Sequence, residues 1–436
     1  MGAIQGAWER GNRAEETAKT APAVPLLETK ACWRRLPKTV SGGGQPLPSW
    51  VRGMVASLPR TAAAMLRLDL AHRTLNPLDP VLRGQMRWVV ARANGCAYHE
   101  SYALSDLRRA GLDDVAIQIL LGSCDQWPEA VRAPLEFARL LTVAAPTIPD
   151  SLFAELRTRF GDRQVAAMVL LAAYGNFQDR LALGLNLPME EGGPLGPLDV
   201  QFVEGTFQVE PLFPEHQASV TSQPGTGDAV VPEDAEWGAV TYADLQSRLE
   251  QQRDRQPRLP IPSWDDVKTL LPPEMGKSPT RLVWNLVCSG YVPELAVPWS
   301  LATRTMWAET EPDRVFEESL FWIQTRAVGC NYCMGHCEML LEVAGLHAEE
   351  VADRTERLGS ANWSSFSPIE QRCYAYARKL SQTPWELTPA DYESLVADLG
   401  ADQAMATFWW LCRGLYMTRV SDGFQLPLER ENVFSH

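Results

Sequence analysis

The sequence predicts an all-α protein, and three observations carry that prediction. Apolar residues recur at helical spacing through long segments, among them 130–143, 164–183, 368–381 and 402–417. Cap-type residues and glycines punctuate the chain where helices start and stop. Strict apolar–polar alternation, the mark of a half-buried strand, is scarce.

Taken in order, residues 1–45 read as an N-terminal tail that closes on Ser41, Gly42, Gly43 and Gly44, a flexible punctuation. Asp79 and Pro80 begin a helix, because a carboxylate satisfies free N–H groups there and proline suits the first turn. Gly95 breaks that helix and Gly111 ends the next one. The stretch 192–257 is rich in Gly, Pro, Ser and charge, so it reads as a linker, with a short helix near Tyr242–Arg253. Thr310, with Asp313 three residues later and Pro312 between them, resembles a capping box. The helix expected there runs to about Val328 and stops at Gly329. A second one starts near Cys330 and ends before Gly345.

Internal similarity organises these elements. Pro-Leu-Pro-Ser-Trp at 46–50 recurs as Pro-Ile-Pro-Ser-Trp at 260–264. Trp88, Arg92, Gly95, Cys96, Tyr98, Ala110, Gly111 and Leu112 recur as Trp322, Arg326, Gly329, Cys330, Tyr332, Ala344, Gly345 and Leu346, always 234 residues on. A fixed offset of this kind signals a duplicated unit. The expected architecture is two tandem helical repeats, 46–191 and 258–436, packed as a pseudo-dimer.

Composition narrows the function. A net charge of −14 argues against nucleic acid, which demands clustered Lys and Arg. Residues 1–22 are charged and lack an apolar core, so no signal peptide is expected. No apolar run approaches the ~18 residues of a membrane span. Nine cysteines, an odd number and mostly scattered, fit a reducing cytoplasm better than a secreted disulfide framework.

Three of those cysteines are clustered. Cys330, Cys333 and Cys337 fall on one face of a helix, the first two a turn apart at its start. A helix N-terminus favours thiolate, and two thiols one turn apart can close a disulfide, so the pair suits reversible two-electron chemistry. Glu318 lies twelve residues before Cys330. In a hairpin at Gly329 it sits ~16 Å back from the turn, level with Cys337 at ~12 Å. An apolar setting beside Trp322 raises its pKa towards what a proton shuttle needs. His336 is placed to relay protons.

Glu318, Cys330, Tyr332, Cys333, His336 and Gly345 together closely resemble the AhpD-like branch of the carboxymuconolactone decarboxylase family. The resemblance covers most of 258–436 and, more weakly, 46–191. It implies an all-helical, homo-oligomeric thiol oxidoreductase: an antioxidant peroxidase or disulfide reductase acting on hydroperoxides or disulfides, without metal or organic cofactor. Its electrons would come from a lipoyl or thioredoxin-type donor, with a peroxiredoxin as partner. The catalytic residues it implies are Cys330, Cys333, Glu318 and His336, with Cys333 reactive towards peroxide, whereas helix-dipole reasoning alone favours Cys330. The chain departs from the pattern at one point: the family's histidine position is Cys337 here, and His336 stands one residue earlier. Cys337 is then a third redox thiol or a small packed residue.

In the first repeat, Cys96 matches Cys330, but His99, Tyr102 and Gly84 stand where Cys333, His336 and Glu318 would be. That repeat is expected to be degenerate and structural, with Cys96 and His99 a vestige. Arg419 and Asp422 are candidates to line a pocket, but they read first as an ordinary surface pair. The alternatives left open are a lactone decarboxylase-like acid–base enzyme of the same superfamily, a zinc site built from Cys330, Cys333, His336 and Cys337, and a non-enzymatic scaffold. Met334 after Cys333 removes the haem-attachment pattern.

Overall fold

The computed structural model describes residues 21–38, 40–122, 124–202, 234–277, 279–310 and 313–435. It is all-α. The β structure among the described residues is one two-residue antiparallel pair, Val40–Ser41 with Gln201–Phe202. That pair ties the segment read as a tail to the segment read as a linker. The helix Thr29–Arg35 packs on Ser49–Met54 and buries Cys32, so the described part of 1–45 is built into the fold. Residues 1–20 of the predicted tail and 203–233 of the predicted linker lie outside the described residues.

Ten described helices run to thirteen residues or more: α1 Pro59–Thr74, α2 Pro80–Asn94, α3 Ala97–Arg109, α4 Glu129–Val143, α5 Asp150–Gly184 with a break at Gly161, α6 Pro293–Thr310, α7 Arg314–Val328, α8 Asn331–Val343, α9 Pro368–Gln382 and α10 Ala401–Phe424. Asp79 caps α2, its carboxylate accepting from Val81 and Leu82 N–H at 2.9 and 3.2 Å. Gly95 ends it at φ 69° and Gly329 ends α7 at φ 79°, a conformation that costs glycine least. The helix Tyr242–Arg253 forms where expected, behind a Thr241–Asp244 capping box.

The start of α7 differs from expectation. Asp313 is its cap, accepting from Phe316 N–H at 3.1 Å, while Thr310 closes α6 and donates to the Met306 carbonyl at 2.9 Å. Both residues are cap types. α6 extends far enough to claim Thr310, so the carboxylate takes the cap alone. Pro312 lies outside the described residues.

α5 and α10 form the centre. α10 is buried on nearly every face, as a helix carrying Phe408, Trp409, Trp410, Leu411 and Tyr416 in succession must be. α5 packs along α10 and α1 along α6, all inside one apolar core. Glycines let the helices approach: a Cβ at Gly184 would stand 2.5 Å from the Phe408 ring, and one at Gly414 only 2.2 Å from Gln324 Oε1. The second crossing brings Arg413 of α10 against α7. No described helix is long and apolar enough to cross a membrane.

Candidate active site

α7 and α8 form an antiparallel hairpin around Gly329, with Cys330 as the non-helical cap of α8 (φ −87°, ψ 93°) and Cys333 in its first turn. All nine cysteines are free thiols. Cys330 is fully buried and faces Cys333 and Asp422. Burial first, then those neighbours, holds its thiol well above the ordinary range. Cys333 Sγ lies 3.2 Å from Ser421 Oγ. The Ser421 hydroxyl already donates to the Met417 carbonyl at 2.8 Å, so the Cys333 thiol is the donor in that contact.

Cys333 also lines a cavity of about 650 Å³, counted with its open mouth. His336, Arg413 and the rings of Trp284, Trp299 and Trp307 share its walls, whereas Cys330 and Cys337 do not reach it. Of the two cysteines expected to react, Cys333 is therefore the one open to a small molecule, and Cys330 stands behind it.

His336 is oriented by a residue sequence reasoning missed. Its Nε2 is 2.6 Å from Glu429 Oε2, and its ring lies against Tyr332, centroids 4.2 Å apart. Glu429 Oε1 accepts from Val283 N–H at 2.7 Å and from the Tyr332 hydroxyl at 3.1 Å. Burial raises the Glu429 carboxyl, but His336 and then the Val283 N–H outweigh it and leave it below the usual carboxylate range. Glu429 belongs to a strap after α10. Leu428 N–H donates to the Gln252 carbonyl at 3.1 Å, Asn432 to the Met339 carbonyl at 2.9 Å, and Phe434 reaches the cavity wall.

Glu318 is fully buried in α7. Arg314 donates to its Oε1 at 3.1 Å, and its Oε2 has no hydrogen-bond partner. Burial raises its carboxyl against the pull of Arg314, Arg413 and His336. It stands level with the second turn of α8, where its charge acts on Cys337, and it does not line the cavity. Its neighbour Glu317 is buried as well and is pushed up to about 8. Arg413 sits beside both, its guanidinium 4.1 Å from the Trp410 ring centroid.

Arg419 and Asp422 are not a surface pair. Arg419 is buried and donates to the Thr142 carbonyl at 3.0 Å. Burial pushes the Asp422 carboxyl up to about 7, against the pull of Arg419 and then of Cys330. α10, buried all round, turns this pair inward, so Asp422 is the acid group beside Cys330. Ser421, Asp422, Arg413 and Glu429 lie about 80 to 100 residues beyond the cysteines, and no local motif links them.

The first half holds a different cluster. His99 Nδ1 lies 2.9 Å from Asp179 Oδ1 and 3.5 Å from Cys96 Sγ. Arg87 reaches the same Asp179 oxygen at 2.7 Å, and Asn94 donates to the other at 2.8 Å. Asp179 is held at about 2, because Arg87, His99 and their hydrogen bonds override its burial. Cys96, His99 and Asp179 are the one trio among the described residues whose donor atoms gather within 4.8 Å, as metal ligands do. Arg87 opposes a metal there, since its charge already occupies the carboxylate. His99 lines a separate cavity of about 720 Å³ with His72, Arg83 and Tyr102. Gly84 stands where Glu318 does in α7, and a Cβ there would meet Leu107 at 2.7 Å, so a longer side chain would require repacking.

No protein-family model matches this chain, and no curated protein matches it.

Proposed function

We propose that the chain is a duplicated AhpD-like thiol oxidoreductase, working in a reducing cytoplasm, whose redox centre is Cys330 and Cys333. The observation that carries this reading is the cavity wall: Cys333 and His336 face it together, with the second thiol directly behind Cys333. The duplication is supported by paired backbone features: Gly95 with Gly329, Gly161 (φ 76°, ψ 163°) with Gly400 (φ 78°, ψ 160°), and Asn186 with Gln425 at φ 47° and 54°. It is supported again by Tyr98 donating to Glu190 as Tyr332 does to Glu429.

In the proposed reaction Cys333 gives its proton to His336, and the thiolate attacks the outer oxygen of a hydroperoxide. The O–O bond breaks, Cys333 becomes a sulfenic acid, and the alkoxide takes a proton from His336, which Glu429 holds in place. Cys330 then gives its proton to Asp422 and attacks the Cys333 sulfur. A disulfide forms, and the hydroxide displaced from Cys333 takes the proton back from Asp422 and leaves as water. Overall, two thiols lose two electrons and two protons, and the hydroperoxide becomes an alcohol and water. A disulfide substrate would be reduced by the same pair through a mixed disulfide. A dithiol donor of lipoyl or thioredoxin type restores the thiols, and a peroxiredoxin and further copies of this chain are the proposed partners. Glu318 is a positioning residue in this scheme, acting through Arg413 and the second turn of α8.

Thiol titration tests the reading. Hydroperoxide should remove two titratable thiols per chain, and Cys333→Ser should abolish that loss. Unchanged thiols across a range of hydroperoxides and disulfides would sink it. A second reading, acid–base chemistry of the lactone decarboxylase kind, is favoured by the Asp179–His99 pair. There the anionic carboxylate accepts a hydrogen bond from Nδ1–H and leaves Nε2 as a proton acceptor. An activity lost in His99→Gln and kept in Cys333→Ser would identify it.

A further inference from the structure

Three donor side chains on the cavity beside Cys333 have no acceptor. Arg413 is 8% exposed, and its guanidinium makes no hydrogen bond or ion pair with the described residues. The Thr303 hydroxyl and the Trp284 indole N–H are buried on the same cavity without partners. Buried donors are rarely left unpaired, because each forfeits its hydration for nothing. Three of them on one cavity point to a ligand that brings acceptors.

The charges agree. Glu318 is taken by Arg314. Glu317, pushed up to about 8, is largely protonated at neutral pH. Arg413 therefore has no described carboxylate within ion-pair distance, and it faces Glu318 through space and the Trp410 ring instead. The remaining walls, Trp299, Trp307, Phe321 and Leu340 among them, are apolar. A volume of about 650 Å³ lies in the range of roughly 300–1,000 Å³ usual for small-molecule sites.

We infer that this cavity takes an apolar organic hydroperoxide bearing a carboxylate, and that Arg413, Thr303 and Trp284 receive the carboxylate while the peroxide reaches Cys333. This rests on the dithiol reading and gives it a substrate class. Binding the acid end fixes the apolar body along the rings and sets the distance from carboxylate to reacting oxygen. The chemistry is the two-electron oxidation of Cys333 and Cys330 written above.

The test uses the prereduced full chain in single turnover, so no electron donor is needed. Linoleic acid hydroperoxide and its methyl ester, both below micellar concentration, are mixed with the protein at pH 7, and the loss of two thiols is timed. The acid should react about tenfold or more faster than the ester, the effect of one charge-assisted hydrogen bond in a buried site. Arg413→Gln should collapse the acid-to-ester ratio towards one. Thr303→Val, which keeps the side-chain shape, should lower the ratio several-fold, and it serves if Arg413→Gln does not fold. Equal rates in the unmodified protein, or a ratio that neither substitution moves, overturns the inference and leaves the dithiol reading standing. If neither compound nor hydrogen peroxide removes thiols, the dithiol reading falls and this inference with it.

Discussion

Removing the Glu429 side chain tests whether the strap after α10 holds the site together. Glu429 accepts three hydrogen bonds, from Val283 N–H, the Tyr332 hydroxyl and His336 Nε2, at 2.7, 3.1 and 2.6 Å. Glu429→Ala strands all three donors in a buried place. Each stranded donor costs ~1–3 kcal/mol. The three share one acceptor group and do not add fully, so the expected loss is ~3–5 kcal/mol. Glu429→Gln keeps a neutral acceptor and should lose less, ~1–2 kcal/mol. Urea unfolding followed by tryptophan fluorescence measures both. The pH dependence has a fixed sign. The Glu429 carboxyl is depressed in the folded state, so its contribution is complete above the ordinary carboxylate pKa and is lost as pH falls through the lower folded value. The gap between the unmodified protein and Glu429→Ala should therefore narrow in acid. A gap below ~1 kcal/mol at pH 7, or one that widens on acidification, would refute the reasoning.

Two further outcomes are expected. Glu317 is held at about 8 when folded, so folding binds a proton between the ordinary Glu pKa and pH 8, and stability falls as pH rises through that window. Glu317→Gln removes this cost, so thermal unfolding should show a gain on the order of 1 kcal/mol at pH 5 that grows to several at pH 8; a gain independent of pH would contradict it. Asp422, at about 7, is the proposed proton acceptor for Cys330. Asp422→Asn should slow disulfide closure after Cys333 is oxidised by about 100-fold and remove an inflection near pH 7 from its rate, while sulfenic acid formation, trapped with dimedone, persists; an unchanged closure profile would remove Asp422 from the mechanism.

Much of the fold was legible because it is written locally. Asp79, Gly95 and Gly329 act on backbone within a few residues, and each sits where the sequence places it. The α7–α8 hairpin follows from Gly329, and with it the level of Glu318 against Cys337. The cap of α7 was misread because Thr310 and Asp313 are both cap types, and only the reach of α6 decides between them. The distant half of the site was not legible. Arg413, Ser421, Asp422 and Glu429 acquire meaning only when α10 crosses α7 at Gly414. Asp422 and Arg419 stand out in the sequence as possible pocket residues, but a surface pair is the first expectation, because charged side chains are usually exposed. A helix buried on all faces overrides that expectation. Which of Cys330 and Cys333 is the outer thiol is likewise a matter of which side the cavity opens.

The strap carries a consequence for how the protein is handled. One wall of the Cys333 cavity is a short peptide outside any helix, fastened to the helix Tyr242–Arg253 by the Leu428 N–H and to α8 by the Asn432 side chain. A protease nick after Leu426 would detach Glu429 and Phe434 together. Every long helix would stay whole, so circular dichroism would report an intact protein. His336 would meanwhile lose its anchor and the cavity its far wall. A preparation trimmed after Leu426 would thus pass the usual tests of folding with one wall of the cavity gone, and intact mass is the measurement that separates the two.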